Sequence, residues 1–136
     1  MATTMRMLPE ISDQNRFFWT SGEHNELQIT QCSACSHYIH PPAPICPKCL
    51  CREVAPATVS GRATVVSYTI NHQKWHPMME VPFVIAIVEL EEQAGLNLTT
   101  NIINTPVESV AIGMPVKVVF EDCGEVFVPV FEPAEQ

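Results

Sequence analysis

Two pairs of cysteines with the same C-x-x-C spacing constrain this chain more than any other feature. Cys32 and Cys35 form the first pair, and Cys46 and Cys49 form the second pair ten residues further on. The two-residue spacer lets both sulfurs of a pair face one centre, and four thiolates in a tetrahedron are a ligand set of structural zinc. We therefore predict one structural zinc ion on these four cysteines. Tetrathiolate iron and two disulfides remain alternatives at this point.

The segment between the two pairs favours a compact metal site. Residues 41–44 contain three prolines, whose fixed φ angles lower the entropy of bringing the pairs together. His37 and His40 lie in the same segment and could compete as ligands. Because four sulfurs already complete the site, we expect both histidines to lie on the surface without binding the metal. Cys51 could replace Cys49, but the C-x-x-C spacing favours Cys49.

Charge is distributed unevenly along the chain, which carries a net charge of −8. Every lysine and arginine except Lys117 lies within the first 74 residues, and ten acids follow that point. Such an acidic half repels polyanions, so we expect no nucleic-acid partner, although a nucleic-acid-binding ribbon and barrel module stays an alternative. No apolar run reaches the length of a membrane span and the N-terminus lacks a signal-peptide core, so we expect a cytoplasmic protein.

The first 26 residues are predicted to form a leader (1–9) and a helix (10–22). Ser12 or Asp13 can cap the start of this helix, and Gly22 suits its left-handed end. Three consecutive aromatic residues are too bulky to bury against one surface of so short a helix. Such a cluster is more often part of the core, but part of this one is also a candidate for contact with a partner subunit. The cluster consists of Phe17, Phe18 and Trp19.

A zinc ribbon (27–54) and a β-barrel (55–136) are predicted to follow. In the ribbon, a strand at 27–32 enters the first cysteine pair and the chain returns antiparallel at 38–40. Residues 53–60 form a linker or a short strand. Five strand-like segments then occur at 61–71, 82–90, 96–103, 114–120 and 125–131.

The second of these segments is apolar on both faces, which predicts a strand covered on two sides. Pro129 removes a hydrogen-bond donor, so the last strand is expected to be an edge or bulged there. Five strands with one connector between the third and fourth suit a Greek-key barrel of the OB type, although an SH3-like barrel has similar spacing. The predicted fold is therefore mostly β, with an N-terminal helix, a zinc ribbon and a five-stranded OB barrel.

No catalytic motif is evident in the sequence, and we predict no catalytic residue. The loop after the first barrel strand places Trp75 between His72, Lys74 and His76. We interpret it either as a loop that contacts a ligand or partner, through Trp75 and His76, or as an ordinary connection with Trp75 folded onto the barrel. A free-standing enzyme that uses the two histidines is a further alternative, but no nucleophile or paired carboxylate lies beside them.

An ordered set of motifs resembles the DUF-thirty-five (DUF35) family of acyl-CoA-associated proteins over about residues 10–132. The set consists of the helix with Phe-Trp, C-x-x-C, Pro-Pro, C-P-x-C, Gly61-x-x-x-Val65-x-Ser67-x-Thr69, the run from Val81 to Leu90, and the run from Ile112 to Glu121. The resemblance implies a rubredoxin-like ribbon, an OB-fold barrel and zinc on the four cysteines. Ser36, where the family commonly has glycine, and the longer turn at Gln93–Ala94 depart from the family pattern.

The same resemblance implies an accessory subunit rather than an enzyme that works alone. Family members associate with thiolase-fold enzymes, including lipid-transfer-type thiolases, acyltransferases and sterol side-chain aldolases of lipid or steroid metabolism, or with MaoC-like enoyl-CoA hydratases. The partner holds the catalytic residues, and the small subunit stabilises it or completes its acyl-CoA site. Because coenzyme A carries phosphate groups, we expect any CoA contact to come from basic side chains. The candidates are Lys48, Arg52, Arg62 and Lys74.

Overall fold

A computed structural model describes residues 8–134, so most of the predicted leader lies outside the described residues. One short helix, a small sheet and a barrel follow one another along the chain. In chain order the elements are α1 (Arg16–Thr20), a 3-10 turn (Ser21–His24), β1 (Leu27–Cys32), β2 (Tyr38–Ile39), β3 (Val54–Val59), β4 (Arg62–Asn71), β5 (Phe83–Leu90), β6 (Asn97–Ile102), a second 3-10 turn (Val107–Ser109), β7 (Pro115–Asp122) and β8 (Phe127–Pro133).

The helix is shorter than predicted, because residues 13–15 form a turn and the backbone becomes α-helical only at Arg16. The Asn15 side chain accepts a hydrogen bond from the Ser12 backbone N–H at 2.8 Å, and the Ser12 hydroxyl accepts one from the Asn15 N–H at 3.3 Å. This reciprocal pair is a capping-box arrangement, and the Arg16 N–H donates to the Ser12 carbonyl at 2.9 Å. Ser12 therefore caps the turn that leads into α1, as predicted, while α1 itself begins only after Asn15, whose φ of −110° and ψ of 1° are not helical. At the other end Asn25, with φ of 62°, takes the left-handed position predicted for Gly22.

Gly22 has a packing role instead. A Cβ atom there would lie 2.5 Å from Phe120 Cδ1 and 2.7 Å from Phe127 Cβ. The absence of a side chain therefore lets the 3-10 turn lie directly against the barrel.

The ribbon sheet has three antiparallel strands in the order β2-β1-β3. The predicted return strand is confirmed as β2, whose Tyr38 pairs with Gln31 of β1. Residues 54–59, predicted as a linker or a short strand, form β3 and pair with the whole of β1. The predicted boundary between residues 54 and 55 falls inside this strand.

The barrel is closed, with five strands in the order β4-β5-β6-β8-β7. Burial alternates along β5, and its outward-facing Ile85 and Ile87 are each 37% exposed. The prediction that this strand is covered on both faces was therefore wrong, because nothing in the described part of the chain covers those two side chains fully. β8 pairs with β7 throughout but with β6 only at Phe131. Pro129 thus lies where its strand has one full neighbour, which agrees with the expected edge-like position.

Ribbon and barrel share one hydrophobic core. Leu27, Ile29 and Val59 of the ribbon sheet cluster with barrel residues such as Val88 and Phe131. A polar contact reinforces this core at the turn between β5 and β6, where the Gln93 carboxamide binds the backbone of Tyr38. Its Oε1 accepts from the Tyr38 N–H at 2.8 Å, and its Nε2 donates to the Tyr38 carbonyl at 3.0 Å. In the same turn the Glu92 carboxylate accepts a hydrogen bond from the Ser60 N–H at 2.7 Å.

Within residues 8–134 no helix has the length and hydropathy needed to cross a membrane.

Candidate metal centre and hairpin loop

The two cysteine pairs form two turns with the same backbone hydrogen bonds. In the first, the Ser36 N–H donates to the Cys32 carbonyl at 2.8 Å; in the second, the Leu50 N–H donates to the Cys46 carbonyl at 2.8 Å. Ser36 and Leu50 both have left-handed φ angles, 67° and 65°. Ser36 therefore takes the conformation that glycine adopts most easily, and replacing glycine there leaves the turn intact.

The four sulfurs converge on one point. Cys32 and Cys49 have Sγ atoms 3.6 Å apart, the Cys35 and Cys46 Sγ atoms are 3.6 Å apart, and all four lie within 4.8 Å of one another. A tetrahedron with Zn–S bonds of about 2.3 Å has sulfurs about 3.8 Å apart. The donor set and its spacing therefore fit one zinc ion. Among the described residues, these cysteines are the group of three or more His, Cys, Asp or Glu side chains placed to hold a metal.

Local environment favours metal binding by the buried side of this cluster. Cys32 and Cys46 are fully buried, whereas Cys49 is exposed. Hydrogen bonding from the Cys35 backbone lowers the pKa of Cys32 to about 7, against the opposing effect of burial. Because the thiolate is the form that binds zinc, this backbone contact prepares the site for the ion.

The competing ligands considered from the sequence lie outside the cluster. Cys51 instead accepts a hydrogen bond from the Glu53 N–H at 3.3 Å. His40 packs its ring against Phe18, with ring centroids 4.9 Å apart. Its Nδ1 atom is buried with no hydrogen-bond partner in the described part of the chain, and burial lowers the pKa of His40 to about 4. His40 is therefore a neutral packing residue rather than the surface histidine we expected.

The aromatic residues of α1 are largely used by the chain itself. Phe18 is 6% exposed and belongs to the shared core, and Phe17 and Trp19 pack against that core while remaining half-buried. Phe18 is therefore not available to a partner. For Phe17 and Trp19 a partner contact stays a prediction.

The four predicted CoA-contacting cations occupy separate places. Lys48 and Arg52 are exposed near the second cysteine turn, Arg62 begins β4, and Lys74 lies beyond the far end of that strand. At 3.3 Å per residue, the length of β4 separates the last two by about 30 Å. These four side chains therefore cannot bind one set of CoA phosphates together.

The loop between β4 and β5 presents its aromatic residue to solvent. Trp75 is 73% exposed, and its indole N–H donates to the Asn71 side-chain oxygen at 3.0 Å. The alternative in which Trp75 folds onto the barrel is therefore wrong. His76 is also exposed, and its Nδ1 accepts a hydrogen bond from the Met78 N–H at 3.1 Å.

The four-sulfur cluster, three-stranded sheet and closed barrel together define a zinc-ribbon protein with an OB-type barrel. Residues 19–54 match the family model described as the rubredoxin-like zinc ribbon domain of ChsH2. Residues 57–121 match the model described as the C-terminal OB-fold domain of ChsH2. The predicted fold and the predicted single zinc site are confirmed.

Individual relatives identify the family more narrowly. The chain is 31% identical over 101 residues to a DUF35 domain-containing scaffold protein of Methanothermobacter thermautotrophicus, covering 73% of this chain and 74% of that protein. A solved structure titled "Ltp2-ChsH2(DUF35) aldolase" contains a chain that is 36% identical, with a TM-score of 0.84, 94% of this chain matched and that chain matched in full. The chain belongs to the DUF35 family.

One relative is much longer. A probable enoyl-CoA hydratase alpha subunit of Thermomonospora curvata is 36% identical over 131 residues, which cover 96% of this chain but 40% of that protein. The chain therefore spans less than half of the hydratase subunit that it matches.

Proposed function

We propose that the chain is a non-catalytic accessory subunit that binds a thiolase-fold acyl-CoA enzyme and helps to form its acyl-CoA site. One observation carries this proposal: the full-length match to the DUF35 chain in a structure titled as an aldolase of two named components. The partner in this proposal is a lipid-transfer-type thiolase, a sterol side-chain aldolase or an acyltransferase.

The chemistry of the described residues supports this role. The histidines considered for catalysis, His72 and His76, lie on an exposed loop. His76 binds the backbone of its own loop, and neither histidine has a hydrogen bond to a hydroxyl or a carboxylate in the described part of the chain. A histidine can activate a nucleophile only if that nucleophile lies within hydrogen-bond reach and a further group orients the imidazole ring, and these two histidines lack both.

Co-purification tests the proposal directly. The tagged chain is expressed in its source cells, its stable partner is identified by mass spectrometry, and both subunits are produced together and apart. We expect a thiolase-fold partner, acyl-CoA turnover by the complex, and no turnover by this chain alone. Turnover by the isolated chain that is lost in His76→Ala would instead establish a free-standing enzyme.

The longer hydratase relative favours a second candidate, the partner subunit of a MaoC-like enoyl-CoA hydratase. The same experiment separates the two candidates. A hydratase-fold partner and hydration of an enoyl-CoA by the complex would establish this alternative. A thiolase-fold partner and cleavage of a carbon–carbon bond by the complex would establish the first candidate instead.

A direct CoA contact is a separate part of the proposal. Because the four cations are dispersed, the CoA phosphates would meet one group, and Lys48 with Arg52 is the pair closest in sequence. We expect Lys48→Glu together with Arg52→Glu to raise the KM of the complex for acyl-CoA, with Arg62→Glu as the control from another region. Unchanged KM in the double variant would contradict a contact at this pair.

A further inference from the structure

The second half of β4 has one neighbouring strand instead of two. The first part of β4 pairs with β7 on one side and β5 on the other, but the register with β7 ends at Thr64. From Ser67 to Asn71 the strand pairs with β5 alone. Residues 66–69 are all exposed, so this half of β4 is an open edge of the sheet. The loop at residues 72–82, the tip of the hairpin, leads from this edge to β5, which pairs with β6 from Val84 onward.

The tip is ordered by its own hydrogen bonds. The Asn71 side chain binds in two directions, accepting from the Trp75 indole N–H at 3.0 Å and donating to the Gln73 carbonyl at 2.7 Å. His76 organises the next turn, since its Nδ1 accepts from the Met78 N–H and its carbonyl accepts from the Met79 N–H. The loop therefore holds a defined shape before it meets any other molecule.

This ordered tip exposes large apolar side chains. Trp75 is 73% exposed and Met78 is 61% exposed. Ile85 and Ile87 continue apolar surface along the outward face of β5. A fixed tryptophan in water loses little conformational entropy on binding, and such side chains supply much of the energy of protein interfaces.

The charge of the tip indicates what it meets. The chain has a net charge of −8, whereas the loop at residues 72–82 contains one lysine, Lys74, and one acid, Glu80, and so carries no net charge with its histidines neutral. A tip without net charge, with Lys74 next to Trp75, is complementary to an apolar pocket with a carboxylate at its rim.

We propose that Trp75 and Met78 insert into such a pocket on the larger acyl-CoA enzyme subunit, with Lys74 facing the acidic rim. This inference rests on the proposed function and assigns the surface through which the complex forms. The hydrogen bonds of Asn71 and His76 hold the loop in one shape, so that Trp75 can act as an anchor.

Affinity measurements on the partner subunit identified by co-purification test the inference. We expect Trp75→Ala to weaken binding about thirtyfold, mainly through faster dissociation. Ile112→Ala is the matched control, because Ile112 is 69% exposed on a different connection, and it should leave affinity within about twofold. Lys74→Gln should slow association at low salt and reduce its salt dependence.

Several results would overturn the inference. Equal affinity of the wild type and Trp75→Ala would do so, as would an equal loss in Trp75→Ala and Ile112→Ala. Trp75-dependent binding of the free chain to phosphatidylglycerol vesicles would assign the tip to a membrane surface, and a homodimer that Trp75→Ala dissociates would assign it to a second copy. A wild-type chain that binds no thiolase-fold or hydratase subunit would instead refute the proposed function.

Discussion

Replacing His40 should remove a pH dependence from the stability of this protein. The His40 ring lies against Phe18, and its buried Nδ1 has no partner among the described residues. Burial lowers the pKa of His40 from 6.5 to about 4. The folded protein therefore keeps this imidazole neutral at a pH where the unfolded chain protonates it.

The direction and size of the effect follow from proton linkage. Below the unfolded pKa the unfolded state binds the extra proton, so the free energy of unfolding falls as pH falls, and the loss is complete below the folded pKa. The full shift corresponds to about 3 kcal/mol, and about 2 kcal/mol of it should be lost between about pH 7 and pH 5. At neutral pH the imidazole is neutral in both the folded and the unfolded state, so almost none of this stability is lost.

Urea unfolding of zinc-loaded wild type and His40→Phe across this range measures the effect. Phenylalanine keeps the ring packing and cannot be protonated, so its stability should change less on acidification, by about 2 kcal/mol relative to wild type. Zinc loss at low pH affects both proteins and cancels in the difference. His24→Gln, at an exposed histidine, should retain the wild-type slope. Parallel slopes for wild type and His40→Phe would show that His40 does not remain neutral in the folded state.

Three further predictions concern the metal and the packing that surrounds it. Removing zinc with a chelator, or changing Cys49→Ser, should lower Tm steeply in differential scanning calorimetry, since structural zinc supplies on the order of 10 kcal/mol; an unchanged Tm after verified metal loss would contradict this. Gln93→Ala should cost about 1–3 kcal/mol in urea unfolding by removing both hydrogen bonds to Tyr38, and Gln93→Glu should be no more stable than Gln93→Ala, because its second carboxylate oxygen would face the Tyr38 carbonyl oxygen. Gly22→Ala should cost about 1–3 kcal/mol, because its Cβ would overlap the Phe120 ring; a stability equal to wild type would show that the barrel surface yields there.

The metal site and the strands were predictable because their signals are local. A C-x-x-C spacing determines where two sulfurs point, and β-branched alternation determines which residues of a strand face inward. The helix was predicted too long because the Asn15 backbone leaves the helical conformation after the turn that Ser12 caps, and no pattern of residue types marks that change. The role of Gly22 was hidden for a different reason, since Phe120 is distant in sequence and only the fold brings it close.

Long-range contacts also decided the positions of His40 and Trp75. Nothing near His40 in the sequence indicates that Phe18 will cover it, and nothing near Trp75 indicates that its side chain will remain 73% exposed. Pattern analysis identifies such residues as unusual, but burial depends on which elements pack together. The polar contacts between Gln93 and Tyr38 are equally non-local, and an ordinary turn residue carries them.

The arrangement of ribbon and barrel explains how a metal held by the ribbon can affect the barrel, which carries the surface that we propose binds a partner enzyme. Zinc holds the two cysteine turns together, and the first of them ends β1, the central strand of the ribbon sheet. That strand places Leu27 and Ile29 in the core shared with the barrel, and the paired hydrogen bonds of Gln93 fix the neighbouring strand. The free energy of metal binding therefore reaches the barrel through packing rather than through a flexible linker. A barrel supported in this way, with a loop ordered by its own hydrogen bonds, is a preorganised docking element.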